Sequence, residues 1–128
     1  MADFRVVSAL AEGARKLGQR YHVGVVQSKD SFYGQHSPEA SPVGYRAECE
    51  VGGVETVWAA WRSEMEGAAL FTVGAALGVR CGAVFLTMAN QEREKAGLEN
   101  PVVHDTERAI QTAVEALRIL IRQEQQTF

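Results

Sequence analysis

Two acidic side chains one residue apart, Glu64 and Glu66, are the clearest candidates for chemistry in this chain. An ionised carboxylate has two oxygens and only accepts hydrogen bonds, so one glutamate can accept both hydroxyl hydrogens of a vicinal diol. Its negative charge would also stabilise a cation that develops beside it in a transition state. We assign both tasks to Glu66 and a supporting role to Glu64. The alternative is that both are first-turn glutamates favoured by the helix dipole.

Three further side chains have the polarity or shape of a binding site. The amide of Gln35 presents a donor and an acceptor in one plane, which complements a flat ring edge with adjacent N–H and C=O groups. Phe32 has a flat face that can stack on such a ring, or it anchors the loop as a core aromatic. Met65 lies between the two glutamates in sequence and offers a polarizable wall.

The first half of the chain predicts the elements that carry these residues. Apolar residues from Asp3 to Leu17 recur at the spacing of one helical face, and Gly18 follows where a helix would end. The valine-rich run 21–27 predicts a strand that opens into a polar loop. Residues 32–53 contain two prolines and no sustained period, which predicts a long irregular connection of the kind that often carries function.

The second half predicts further helices and one more strand. Helical spacing returns over 54–61 and 64–77, as one helix or two. The apolar run 79–88 predicts a strand buried on both faces of a sheet, followed by a charged loop over 90–104. Asp105 is placed to cap a final helix, with 123–128 frayed. The side chains expected to face inward are Ile110, Val114, Leu117 and Ile121.

The alternation of helices and strands indicates the α/β class, and the whole chain, 1–128, is predicted to be a single domain. Two strands are few for a sheet that buries helices on both faces, so part of the sheet is expected to be absent. A net charge of -3 argues against a nucleic-acid partner. Two cysteines without metal-ligand spacing, together with the lack of a signal peptide or a membrane-length apolar run, predict a cytoplasmic protein without a metal.

The segments VGVVQSKDSFYGQH, 23–36, and SEMEGAAL, 63–70, resemble signatures of the nucleoside phosphorylase-I family, of the uridine phosphorylase type. In that family a strand ends in an Asp-Ser/Thr-Phe-Tyr stretch followed by a base-binding glutamine, and a Glu-Met-Glu triplet holds the ribose. The resemblance covers nearly the whole chain and corresponds to the C-terminal half of a family member.

The resemblance implies a partial three-layer phosphorylase/hydrolase-like fold, with a mixed central sheet flanked by helices. It implies phosphorolysis of uridine to uracil and ribose 1-phosphate, with phosphate as co-substrate and no other cofactor. Phe32, Gln35 and the triplet Glu64-Met65-Glu66 would then bind the nucleoside. Asn90 stands where purine-directed relatives often carry a proton-donating aspartate, and because an asparagine cannot donate that proton, uridine is favoured.

The sequence also departs from the family pattern. Family members bind phosphate through their N-terminal half, so activity is expected to need a complementing N-terminal half. The partners expected besides nucleoside and phosphate are that half or further copies of the chain in a homo-oligomer. Ser37 stands where many uridine phosphorylases carry an arginine, and the short strand expected before Ser63 looks lost. The alternatives are a purine nucleoside phosphorylase or nucleosidase, and a non-catalytic module that binds a nucleoside or a partner.

Overall fold

A computed structural model describes residues 1–32, 62–90, 93–94 and 96–126. The described residues form three helices and two strands, which confirms the α/β class. In chain order the elements are α1 (Phe4–Lys16), β1 (Val26–Ser28), β2 (Arg62–Glu64), α2 (Gly67–Ala76) and α3 (Glu107–Gln125). They fall into two compact units, one of Met1–His22 with Gly74–Phe128 and one of Val23–Val73. None of the described helices is both long enough and apolar enough to span a membrane.

Helix α1 forms as its sequence predicts. The carboxylate of Asp3 accepts a hydrogen bond from the Val6 amide at 3.1 Å, which satisfies one of the amides left unpaired at a helix start. The helix ends at Lys16 with Leu17 as its C-cap, and Gly18 follows with a φ of 64°, the left-handed conformation that glycine adopts without strain. The predicted bounds are therefore correct to within one residue.

Helices α1 and α3 pack closely because small residues line the contact. Gly13 is buried, and a Cβ atom added to it would lie 3.1 Å from the Thr112 carbonyl oxygen and 3.3 Å from the Ala116 amide nitrogen. Among the described residues, the buried apolar side chains of this unit are few and mostly small: Ala9, Ala14, Ala116 and Ile119. The contact therefore depends on backbone approach more than on large side chains.

The predicted inward face of α3 is wrong. Ile110, Val114, Leu117 and Ile121 are between 42% and 59% exposed. The buried face instead carries Thr112, Ala116 and Ile119. Helix α3 has apolar residues on two sides, and the close approach at Gly13 selects the side with the smaller residues. Apolar spacing alone could not make this choice.

The ends of α3 are partly as predicted. The helix begins at Glu107, and its N-cap residue is Thr106, whose side chain makes no capping hydrogen bond. The Asp105 carboxylate, one position earlier, accepts a hydrogen bond from the Glu107 amide at 2.9 Å, so Asp105 satisfies an amide of the first turn as expected. The helix continues to Gln125, so fraying from Gln123 is wrong for its first three residues. The N-terminal prediction succeeded because capping depends on near neighbours in sequence.

The strands differ from prediction in place. Strand β1 overlaps only the end of the predicted run 21–27, and β2 ends at Glu64, the first residue of the predicted helix 64–77. The expected loss of a strand before Ser63 is wrong, since Arg62–Glu64 pairs in parallel with β1. The predicted helix over 54–61 and most of the predicted connection 32–53 lie outside the described residues.

The run 79–88, which the structure describes throughout, contains no strand, so the prediction of a buried central strand is wrong for this chain. Its side chains are half-buried or exposed. The Cys81 carbonyl accepts the Asp3 amide at 2.7 Å, and the Met88 carbonyl accepts the Val103 amide at 2.9 Å. A strand needs a neighbour with which it exchanges a ladder of hydrogen bonds, and the described residues form no such ladder at this run.

Candidate active site

The parallel pairing of β1 and β2 brings two of the candidate segments to one edge of a sheet. Ser28 lies opposite Glu64 in the register, and the Lys29 amide extends the pairing by donating to the Glu64 carbonyl at 2.9 Å. Both strands end here in the same direction. The chain continues from β1 to Phe32 and from β2 through Met65 into α2. The C-terminal ends of parallel strands are a common place for ligand sites.

Glu64 caps the start of α2. Its Oε2 atom accepts hydrogen bonds from the amides of Glu66 at 2.7 Å and Gly67 at 2.6 Å, and its Oε1 atom accepts one from the Ser28 hydroxyl. The Ser28 oxygen in turn accepts the Ala68 amide at 2.9 Å. Together these two side chains satisfy three amides near the helix start, where the helix dipole favours a negative charge.

Gly67 makes this cap possible. It is buried, and a Cβ atom added to it would lie 2.8 Å from Oε1 of Glu64 and 3.0 Å from the Ser28 oxygen. Any side chain here would push the carboxylate or the hydroxyl away from the helix start. The residue that follows the Glu-Met-Glu triplet is therefore part of the device that fixes Glu64.

The cap also changes the acidity of Glu64. Burial by itself acts to raise the pKa of this carboxyl, but hydrogen bonds from Ser28, Gly67 and Glu66 outweigh it, and the net effect is a lowered pKa. Each of these hydrogen bonds favours the ionised form. Glu64 is thus held as an anion by the groups around it.

We expect this lowered pKa to make the protein lose stability in acid. A carboxyl whose pKa is lower in the folded than in the unfolded chain stabilises the fold above its ordinary value of 4.5, and this contribution disappears as the pH falls through the folded pKa. Glu64→Gln keeps the side chain's shape but cannot titrate. Its free energy of unfolding, measured by denaturant titration from pH 7 to pH 3, should fall less than that of the unmodified protein.

A matched control is Glu94→Gln, which removes an exposed carboxylate from the other unit. Between pH 7 and pH 3, Glu64→Gln should lose less stability than this control. If Glu64→Gln and the unmodified protein lose equal stability over the same pH range, the cap does not hold the ionised form.

The side chains of Glu66 and Met65 are more exposed than that of Glu64. Both side chains are exposed, and Oε2 of Glu66 accepts a hydrogen bond from the Met65 amide at 3.0 Å. The carboxylate therefore remains accessible to a ligand, whereas that of Glu64 is engaged in the cap. The two roles expected from the sequence, a ligand-binding Glu66 and a supporting Glu64, stay predictions.

The side chains of Lys29 and Phe32 contact each other just after β1. The Lys29 ammonium lies 4.9 Å from the centroid of the Phe32 ring, within the range of a cation–π interaction. Desolvation by burial lowers the pKa of Lys29. Phe32 is exposed, so the interpretation as a core aromatic is wrong and its ring is accessible.

Sequence reasoning missed both Ser28 and Lys29 as site residues. Both residues lie inside the segment 23–36, but they matter through their hydrogen bonds to Glu64. Glu64 is 36 positions from Ser28 in sequence. Only the register of the two strands reveals the pairing. The one signal in the sequence that could have pointed to Ser28 and Lys29 was a polar residue at the end of each of two adjacent strands.

Asn90 and Gln35 are the two remaining candidates. Asn90 belongs to the other compact unit, where its Oδ1 atom accepts the Arg93 amide at 3.1 Å and its own amide donates to Asn100 at 2.7 Å. These contacts close a loop. Gln35 lies outside the described residues. Within the described part of the chain, no three side chains from His, Cys, Asp and Glu are grouped as a metal site.

Comparison with known proteins gives a consistent result. A family model described as the phosphorylase superfamily matches residues 1–123. The chain is 48% identical to the uridine phosphorylase of Treponema pallidum (strain Nichols), over 95% of this chain and 47% of that protein. It is 38% identical to the uridine phosphorylase of Thermococcus kodakarensis, over 76% and 35%, and 32% identical to that of Escherichia coli K12, over 94% and 49%. It thus spans about half the length of the curated relatives it matches.

Proposed function

We propose, from the premise that this chain belongs to the phosphorylase superfamily, that it carries the ribose and base side of a uridine phosphorylase site. The reaction is the phosphorolysis of uridine to uracil and ribose 1-phosphate, performed together with a complementing N-terminal half. The observation that carries the proposal is the 48% identity to a uridine phosphorylase across nearly the whole chain. The exposed Glu66 carboxylate and the hydrogen bond from the Glu66 amide to Glu64, both at the end of β2, support the roles assigned below.

The mechanism assigns the ribose to Glu66. Its exposed carboxylate accepts hydrogen bonds from the two neighbouring ribose hydroxyls, and its charge stabilises the ribosyl cation that develops as the glycosidic bond breaks. Glu64 acts as a positioning residue because its Oε2 holds the Glu66 amide at 2.7 Å and so fixes the backbone from which Glu66 projects. Met65, exposed between them, supports the sugar.

The base is assigned to Gln35 and Phe32. The Gln35 amide pairs with the adjacent N–H and C=O groups of uracil, and the exposed Phe32 ring stacks on the base or sugar. Asn90 cannot protonate a purine, which favours uridine over inosine. Its hydrogen bonds to Arg93 and Asn100 support a loop-closing role as well.

The proposal includes the finer features expected from the family resemblance. These are a three-layer fold with a mixed sheet, a single domain over 1–128 corresponding to the C-terminal half, and phosphate as co-substrate with no metal. They also include a cytoplasmic, homo-oligomeric enzyme of pyrimidine salvage. The parallel pair β1–β2 is compatible with a mixed sheet, and the share of each relative that the chain spans supports the half-length assignment.

The test is to co-express the chain with the portion of the Treponema pallidum relative that it does not match, and to follow uracil release. We expect phosphate-dependent release from uridine, at least about tenfold faster than base release from inosine, since pocket contacts commonly discriminate by about 1–3 kcal/mol. The single-part preparations serve as controls. Faster cleavage of inosine would favour a purine nucleoside phosphorylase, and phosphate-independent cleavage a nucleosidase.

A folded, associated complex without turnover would contradict the proposal and favour a non-catalytic module. Calorimetric titration of that complex with uridine and with phosphate then shows whether it binds the nucleoside without turnover or binds neither ligand.

A further inference from the structure

Ser28 connects the end of β1 with the segment that leads into α2. Its hydroxyl donates a hydrogen bond to Oε1 of Glu64, and its oxygen accepts one from the Ala68 amide at 2.9 Å. Phe32, the base candidate, follows soon after Ser28 along the chain, and Glu66, the ribose candidate, lies between the two residues that Ser28 contacts. The serine side chain therefore links the segment expected to contact the base to the segment expected to contact the ribose.

The contact continues from Ser28 to the Glu66 backbone through one carboxylate. Oε1 of Glu64 accepts from Ser28, while Oε2 accepts the amides of Glu66 at 2.7 Å and Gly67 at 2.6 Å. Because a carboxylate is planar and rigid, a hydrogen bond that fixes one oxygen also fixes the direction of the other. Ser28 therefore sets the orientation in which Glu64 holds the Glu66 amide.

The serine hydroxyl contributes little to holding the two strands together. Strands β1 and β2 pair through the backbone of Val26–Ser28 and Arg62–Glu64, and this ladder does not use the serine side chain. Both hydrogen bonds of the side chain are exposed, so water can reach the groups that its removal would release. No buried polar group is then left unsatisfied, and the fold should survive. The expected change is that the Glu64 carboxylate becomes free to turn.

We propose that Ser28 is a positioning residue for uridine cleavage, which acts through Glu64 on the backbone from which the ribose-binding Glu66 projects. By linking β1 to the start of α2, it also keeps Glu66 in register with Phe32, so that one nucleoside can contact both. This inference rests on the proposed function, because the role is defined by the ribose that Glu66 binds. A displacement of about 1 Å is enough to lose much of a transition-state interaction.

The test compares Ser28→Ala with Ser28→Thr in the complex with the unmatched portion of the Treponema pallidum relative. Alanine removes the hydroxyl, whereas threonine keeps it, and its methyl group has room because Ser28 is exposed. We expect Ser28→Ala to lower kcat for uridine about tenfold or more, with a smaller change in KM. Ser28→Thr should stay within about twofold of the unmodified protein. The matched control is Ser8→Ala, which makes the same change at an exposed serine of α1 and should leave both constants unchanged.

A double-mutant cycle distinguishes positioning from a general loss of structure. In a chain that already carries Glu66→Gln, Ser28→Ala should lower kcat by less than about twofold, because the charge that Ser28 positions is gone. An equal loss in both backgrounds would overturn the proposal, since Ser28 would then act without Glu66. Full activity of Ser28→Ala would overturn it as well. So would a Ser28→Thr variant as slow as Ser28→Ala, because the hydroxyl would not be the group that matters.

The titration of Glu64 gives a readout that needs no turnover. Burial acts to raise the pKa of Glu64, but hydrogen bonds, with that from Ser28 first among them, lower it overall. Ser28→Ala should therefore raise the Glu64 pKa, and Ser28→Thr and Ser8→Ala should not, as followed by NMR of the side-chain carboxyl carbon. An unchanged pKa in Ser28→Ala would overturn the proposal whether or not the complex is active.

Failure of the inference and failure of the proposed function give different results. If the complex of unmodified parts folds, associates and does not cleave uridine, the proposed function is contradicted and the role of Ser28 in it falls too. If that complex is active and Ser28→Ala is equally active, only the role of Ser28 is wrong.

Discussion

Replacing Glu66 by glutamine is expected to lower the rate of uridine cleavage by about 100-fold to 1000-fold in the assembled protein. This is the usual cost of removing one group that stabilises charge in a transition state. The amide of Glu66→Gln retains one oxygen, so it can accept from one ribose hydroxyl but carries no charge to offset the developing cation. We expect kcat to fall more than KM rises, since the charge interaction strengthens as the bond breaks. Uracil release under saturating phosphate measures both constants.

The control for this experiment is Glu99→Gln, which removes an exposed carboxylate of the other unit and should leave kcat and KM unchanged. Circular dichroism verifies that each variant keeps its helices. A kcat within threefold of the unmodified value for Glu66→Gln would show that the ribose is held elsewhere, and the assignment of the whole β1–β2 edge would then be lost.

The second large effect concerns stability and is expected at Gly13. Gly13→Val should lower the free energy of unfolding by about 1–3 kcal/mol, the usual cost of adding groups to a closely packed contact. The added Cβ would lie 3.1 Å from the Thr112 carbonyl oxygen and 3.3 Å from the Ala116 amide nitrogen. Both are backbone atoms, so they cannot move aside as a flexible side chain could, and α1 and α3 must separate. Denaturant titration followed by circular dichroism measures the change.

Ser8→Val is the matched control because it places the same side chain at an exposed position of α1. Helix propensity changes by only a few tenths of a kcal/mol in either variant. The control should therefore remain close to the unmodified protein. Equal stability of the two variants would show that α1 and α3 have room between them, and the close contact described above would be wrong.

The sequence determined the local features of this protein. The bounds of α1, the Asp3 cap and the hydrogen bond accepted by Asp105 all follow from side chains that act within a few positions of one another. The candidate residues Phe32 and Glu64 to Glu66 were also chosen from the sequence, and their roles stay predictions. Family membership also came from sequence, because the order and spacing of two motifs are specific even when each is modest. The comparisons confirmed it over residues 1–123.

Tertiary structure alone decided which residues act together. The pairing of Ser28 with Glu64 needs the register of two parallel strands, and the buried face of α3 needs the backbone approach at Gly13. The run 79–88 has the composition of a central strand but forms no strand here, because a strand exists only with a neighbour that shares its hydrogen-bond ladder. The spacing of apolar residues indicates which side chains favour burial. The surface that buries them is set by contacts between segments far apart in sequence, which no local pattern encodes.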